Sequence, residues 1–300
     1  QAPPLAPVAR PRHVAAMAIT STPWRDRKGA FSPLKATVLA LLAAPAVGLL
    51  AAFAAGGLGA EPVEHLQDEL GRWAVRFLLL SLAVTPLRLL WRWNRLILVR
   101  RMIGLAALVY ALGHLAAYAA LEDWVLVKVA GEIATRTYLT IGAAALAGLL
   151  ALGLTSTDAA VRRLGAARWQ ALHRASYAVA PLAVTHVFLQ TRLDPSEAFV
   201  LAGILAWLLA VRLWRARAGT LTPSAALGLA AAATAVTALG EAVFFHLKFG
   251  APLSTLLAAN LDTAAGVRPA WWVAALTLTP ALVAVARGRA ATPRPRRAAA

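Results

Sequence analysis

The sequence predicts an all-α integral membrane protein with eight transmembrane helices, and three observations carry that reading. Of 300 residues, 60% are hydrophobic and only 14% charged, with a mean hydropathy of +0.66, well beyond the roughly 45–50% apolar content of a soluble domain. The apolar residues gather in runs close to the about 20 residues that a helix needs to cross about 30 Å of hydrocarbon. Those runs are continuous rather than alternating, which favours helices over barrel strands, the only other backbone that lipid tolerates.

In order, the runs lie near 34–55, 73–91, 102–121, 137–155, 169–190, 197–214, 224–246 and 269–286. The segments joining them alternate in charge. Arg25, Arg27, Lys28 and Lys35 precede the first run, and Arg88, Arg92, Arg95, Arg100 and Arg101 join the second to the third. Arg162, Arg163 and Arg168 lead into the fifth, Arg212, Arg215 and Arg217 close the sixth, and Arg287, Arg289, Arg294, Arg296 and Arg297 follow the eighth. The intervening loops are acidic or sparse in charge, as with Glu61, Glu64, Asp68 and Glu69, then Glu122, Asp123 and Glu132. The positive-inside rule therefore predicts that both termini are cytoplasmic, as an even number of spans requires.

A net charge of +17 would suit nucleic acid if the arginines formed one basic face, but clusters between apolar runs are topological signals, and membrane lipid is the expected surrounding. The absence of cysteine excludes disulfides, cysteine-ligated iron–sulfur clusters, haem thiolate ligation and covalent c-type haem. Residues 1–33 are read as a disordered basic cytoplasmic tail with no apolar core long enough for a signal peptide, and Met17 is as good a start as Gln1. Residues 288–300 are read as a second basic tail.

Besides His246, which ends the seventh run, three histidines fall inside the apolar runs: His114 in MIGLAALVYALGHLAAYAAL, and His173 and His186 in WQALHRASYAVAPLAVTHVFLQ. A neutral imidazole is a poor guest in hydrocarbon but a good axial ligand for haem iron. At 1.5 Å per residue, His114 lies about 20 Å beyond Arg100 and His186 about 27 Å beyond Arg168, so both belong to the outer half of the membrane. His173 belongs near the cytoplasmic surface. On one straight helix the thirteen residues from His173 to His186 span about 20 Å and turn the side chains about 140° apart; Pro181 between them could kink the helix.

Blocks along the chain resemble those of a known family: GGLGAEPVEHLQDELGRWAVRF at 56–77, TPLR at 85–88, RRMIGLAALVYALGHLAAYA at 100–119, TRTYLTIG at 135–142, LTST at 154–157 and ARWQALHRASYAVAPLAVTH at 167–186. They are similar to MsrQ, the haem-binding membrane subunit of the bacterial protein-methionine-sulfoxide reductase system, within the ferric-reductase-like transmembrane group. The resemblance covers about residues 34–217 and implies a six-helix haem-binding bundle, followed here by two additional C-terminal transmembrane helices over 218–287. It implies that His114, His173 and His186 are haem ligands, holding one haem b with a second as an option, and that FMN is a further candidate cofactor. It also implies a multi-pass protein of the bacterial inner membrane. Such a subunit would take electrons from a cytosolic flavin reductase or from quinol and pass them to a periplasmic molybdopterin methionine sulfoxide reductase subunit. Related eukaryotic oxidases carry a second histidine one haem level below that of the third helix, where this chain has Arg100, so His173 lacks an obvious partner.

Arg100, Arg101, Arg163, Arg168 and Arg174 could grip haem propionates or a flavin phosphate, since guanidinium binds such anions bidentately, but each also reads as a topological anchor. Arg76, inside the second run, could snorkel to the outer interface or reach a propionate. Gly104 and Gly113 would let the third helix approach a macrocycle or another helix closely. Trp73, Trp91, Trp93, Trp124 and Trp169 read as an interfacial aromatic belt. His65 reads as an outer-loop surface residue, His246 as an interfacial anchor, and His13 as tail.

No nucleophile or acid–base pair is evident, so the chain reads as an electron conduit within an oxidoreductase complex. Two other readings stay open. One is a transmembrane ferric or quinone reductase with another acceptor, and the other is a haem-free transporter whose histidines line a polar path.

Overall fold

The computed structural model describes residues 22–26, 29–191, 194–264 and 266–291. Most of both tails, including His13 and Met17, lies outside them. The end of the first tail does not follow the expectation of disorder: Arg25 and Phe31 form an isolated antiparallel bridge, and Ala30 N–H donates to Asp26. Gly29, at φ +82°, permits the turn that closes it.

The long helices are α1 (Pro33–Ala54), α2 (Pro62–Leu90), α3 (Ile97–Leu121), α5 (Thr137–Leu154), α9 (Ser196–Ala218), α10 (Pro223–Phe249) and α12 (Pro269–Ala291). Between them lie the shorter α4 (Leu126–Thr135), α6 (Asp158–Leu164), α7 (Ala166–His173), α8 (Ser176–Gln190) and α11 (Leu253–Ala259). Among the described residues seven helices are long and apolar enough to cross a membrane, where the sequence predicts eight runs. The chain is an all-α multi-pass membrane protein. The connections α2–α3, α5–α8 and α9–α10 are arginine-rich, and those between α1 and α2 and between α3 and α5 are acidic.

The run expected at 169–190 is divided into α7 and α8, so His173 and His186 do not share one helix. The break lies at Arg174 and Ala175, ahead of Pro181, through which α8 passes unbroken. Its cause is a change of hydrogen-bond partner: Tyr177 N–H turns to Arg174 O, three residues back, and the orphaned His173 carbonyl accepts from the Ser176 hydroxyl at 2.9 Å. A hydroxyl that replaces an amide donor lets the chain tighten without leaving a buried acceptor bare.

Helix α2 starts eleven residues before the predicted run, at Pro62. Proline at the first helical position loses no hydrogen bond, and Glu64 in the first turn suits the positive helix end. The acidic segment read as a loop is therefore helix. It carries the Gln67 carbonyl to the level of His114.

Helices α2, α3, α5, α8 and α9 enclose one buried cluster that includes Phe77, Leu82, Ile103, Leu149, Val184 and Leu208. Helix α1 joins through an unusual contact. The Tyr110 hydroxyl donates to Leu42 O and accepts from Ala46 N–H, each at 2.8 Å, inserting into a helical rung beside Pro45. Proline and an inserted side chain are the two standard causes of a local opening in a helix.

The two additional helices pack on α9 and on each other. Gly203 of α9 is the seam, since a Cβ there would lie 2.3 Å from Thr237 Oγ1 and 2.6 Å from Val273 Cγ2. Below it, Trp91 donates to Pro280 O at 3.1 Å. Above it, Phe188, Phe199 and Phe244 meet edge to face, linking α8, α9 and α10. Glu241, 1% exposed, pairs with Arg268 at 3.0 Å.

Candidate functional site

His114 comes from α3 and His186 from α8, and the fold brings their rings together with centroids 6.2 Å apart and planes 80° from parallel. Each ring is held by its Nδ1: His114 to Gln67 O at 2.8 Å and His186 to Tyr138 O at 2.7 Å. A backbone carbonyl can only accept, so each Nδ1 carries the proton and each Nε2 keeps its lone pair. Tyr138 also lies nearly parallel to His186, at 6.3 Å.

Such a pair suits a metal that brings its own remaining ligands. Among the described residues no group of three or more His, Cys, Asp or Glu side chains is placed to hold a bare ion, whereas two neutral imidazoles with fixed tautomers are the donor chemistry that porphyrin iron takes. With a metal–imidazole bond of about 2 Å and the ring centroid about 1 Å behind its nitrogen, two imidazoles on one iron have centroids about 6 Å apart. The observed separation fits haem.

His173 closes α7 at the arginine-rich end, apart from this pair. Its ring stacks on Trp169 at 3.9 Å, and its Nε2 lies 3.1 Å from Thr155 Oγ1, while Trp169 Nε1–H donates to Thr155 O at 2.8 Å. Beside it opens a cavity of about 400 Å³ lined by Arg100, Arg101, Gly104, Arg174, Ser81 and Tyr177 among others, within the size range of cofactor sites. Arg101 is paired with Asp158 at 2.8 Å. Arg168 sits on the exposed face of α7 and does not line the cavity.

Arg76 is occupied elsewhere. Its guanidinium spans to Glu197 of α9 at 2.6 and 3.0 Å and lies over the Trp73 ring at 4.9 Å. Arg72 adds contacts to Glu69 and Glu197 at 2.5 and 3.5 Å. Nearby, hydrogen bonds from Ser196 hold the Asp194 carboxyl below the ordinary aspartate range. On α4, the Glu122 carboxylate raises the Lys128 ammonium above its usual value.

Two residues escape the sequence reading. Gly71 and Gly142 face the rings of His114 and His186 from α2 and α5, while the glycines singled out, Gly104 and Gly113, lie against Ser81 and Leu70. The available signal was a helix-weakening residue four positions after each carbonyl that the histidines use.

Residues 70–184 match the family described as ferric reductase like transmembrane component. The chain is 46% identical over 192 residues to the protein-methionine-sulfoxide reductase heme-binding subunit MsrQ of Rhodospirillum rubrum, covering 63% of this chain and 89% of that protein. It is 43% identical over 182 residues to the MsrQ of Azospira oryzae, covering 59% and 78%, and 36% identical over 166 residues to that of Caulobacter vibrioides, covering 54% and 78%. No solved structure is matched. Residues 70–184 hold Gly71, His114, Tyr138 and Gly142 and stop two residues short of His186, and the relatives extend this likeness over most of their own length: the chain belongs to the MsrQ family.

Proposed function

We propose that the protein is the b-type haem subunit of a methionine sulfoxide reductase system in the bacterial inner membrane, with both termini cytoplasmic, and that it carries electrons from a cytoplasmic flavin reductase or quinol to a periplasmic molybdopterin reductase subunit. The single observation that carries the reading is the facing pair of His114 and His186, each with its Nδ1 on a backbone carbonyl. When bound, haem supplies a one-electron couple. His114 and His186 would hold its iron, and ligation by two imidazoles would suit electron transfer over oxygen activation.

The module would comprise residues 34–217, with 218–287 as an added two-helix unit bracing α9. Arg100, Arg101 and Arg174 give the cavity at the arginine-rich end a positive wall, suited to an anionic donor such as FMN or to the headgroup of a quinol. His173 would form its edge. A second haem there would need the Thr155 contact to give way, with no second imidazole opposite among the described residues.

A pyridine haemochrome assay on the purified full-length protein tests the reading. One haem per chain, lost in His114→Ala and in His186→Ala, is the expected result. No haem in the wild type would leave the transporter reading. The reductase with another acceptor is separated by the acceptor itself: reduced protein is expected to be reoxidised by the periplasmic methionine sulfoxide reductase subunit, and oxidation by ferric chelates alone would favour the rival.

A further inference from the structure

We propose that Gly71 and Gly142 are positioning residues for the two histidines: having no side chain, each lets an imidazole lie against the neighbouring helix and reach the carbonyl one turn upstream. The inference rests on the haem reading above and deepens it. A Cβ on Gly71 would sit 2.8 Å from His114 Nδ1 and 3.1 Å from its Cε1, and one on Gly142 would sit 2.7 and 2.8 Å from the same atoms of His186. A ring that made room for the methyl would lengthen and weaken its hydrogen bond.

The geometry repeats. Gln67 stands four residues before Gly71, and Tyr138 four before Gly142, so carbonyl and glycine share one helix face. Each carbonyl already serves the helix with one lone pair and has a second for the ring. In both cases the glycine is on the earlier helix of an adjacent pair, α2 or α5, and the histidine is on the later one, α3 or α8. The same glycine–carbonyl device thus serves both rings of the facing pair.

Close helix packing explains some glycines in membrane bundles, and this bundle contains examples. A Cβ on Gly148 would lie 2.4 Å from Val179 Cγ2, an aliphatic tip between the same helices α5 and α8. Gly148→Ala is therefore a steric control on a helix pair shared with Gly142.

The full-length protein is purified with its haem, and the low-spin ferric electron paramagnetic resonance signal, midpoint potential and thermal stability are measured for each variant. A hydrogen bond at Nδ1 makes an imidazole a stronger donor to iron. Gly71→Ala and Gly142→Ala are thus expected to raise the potential and shift the largest g value, while Gly148→Ala lowers stability with both unmoved. Alanine variants with wild-type g values and potential, or a Gly148→Ala variant shifted as far, would overturn the assignment while leaving the haem reading intact. Should the alanine variants lose haem, hyperfine spectroscopy of wild-type protein labelled with ¹⁵N-histidine decides. Remote nitrogens carrying non-exchanging protons support the carbonyl bonds, and unprotonated or rapidly exchanging ones exclude them.

Discussion

His173 and Trp169 stack face to face with centroids 3.9 Å apart, and both are tied to Thr155, one through its hydroxyl and the other through its carbonyl. The imidazole at this level is thus part of a wall. His173→Ala is expected to retain one haem per chain by pyridine haemochrome while slowing reduction by the cytoplasmic-side donor. A loss of haem in this variant alone would make His173 a ligand.

The near-perpendicular planes of His114 and His186 predict a strongly anisotropic low-spin ferric signal, because crossed imidazoles bring the iron orbitals that they split closer to degeneracy. Electron paramagnetic resonance at liquid-helium temperature on the oxidised protein checks this. An ordinary rhombic signal would mean that the rings lie nearly parallel.

The ion pair of Arg76 and Glu197 joins α2 to α9 while both side chains are about one-third exposed. Arg76→Ala is expected to cost about 1 kcal/mol, read as a lower melting temperature, with haem content and midpoint potential unchanged. A shift in potential comparable to that of a ligand-shell variant would instead place Arg76 beside a propionate. Glu197→Gln should reproduce the stability loss.

Tyr110→Phe removes the group that serves both Leu42 O and Ala46 N–H. The expected cost is about 1–3 kcal/mol for buried polar groups left unpaired, partly recovered if the helix rung closes on itself. Thermal unfolding in detergent against wild type measures it, and no loss would mean that the rung closes completely.

Arg268→Ala strands the carboxylate of Glu241 in the interior and is expected to cost about 3–5 kcal/mol. Glu241→Gln keeps the shape without the charge and should cost less. Equal losses in the two variants would show that geometry, not charge, holds the pair.

Much of this was legible in the chain. Hydropathy and arginine clusters mark the spans, since a bilayer imposes one length and one charge asymmetry on every crossing, and the two histidines in the acidic half of the bundle declare themselves by their cost in hydrocarbon. The division at Arg174 was hidden because it depends on one hydroxyl, that of Ser176, replacing one amide. Arg76 could be placed by depth but not by partner, as Glu197 is 121 residues away. Gly71 and Gly142 were hidden because an absent side chain gains meaning only from the ring that fills its place.

Gly203 has a consequence for the size of the protein. Because α9 lacks a side chain where Thr237 and Val273 press in, trimming this chain back to the length of its shorter relatives would leave a notch along α9 that fatty acyl tails fill poorly. A shortened variant would need a bulkier residue at 203 to regain a smooth lipid-facing flank, so the length of the chain and the size of this one side chain are physically coupled.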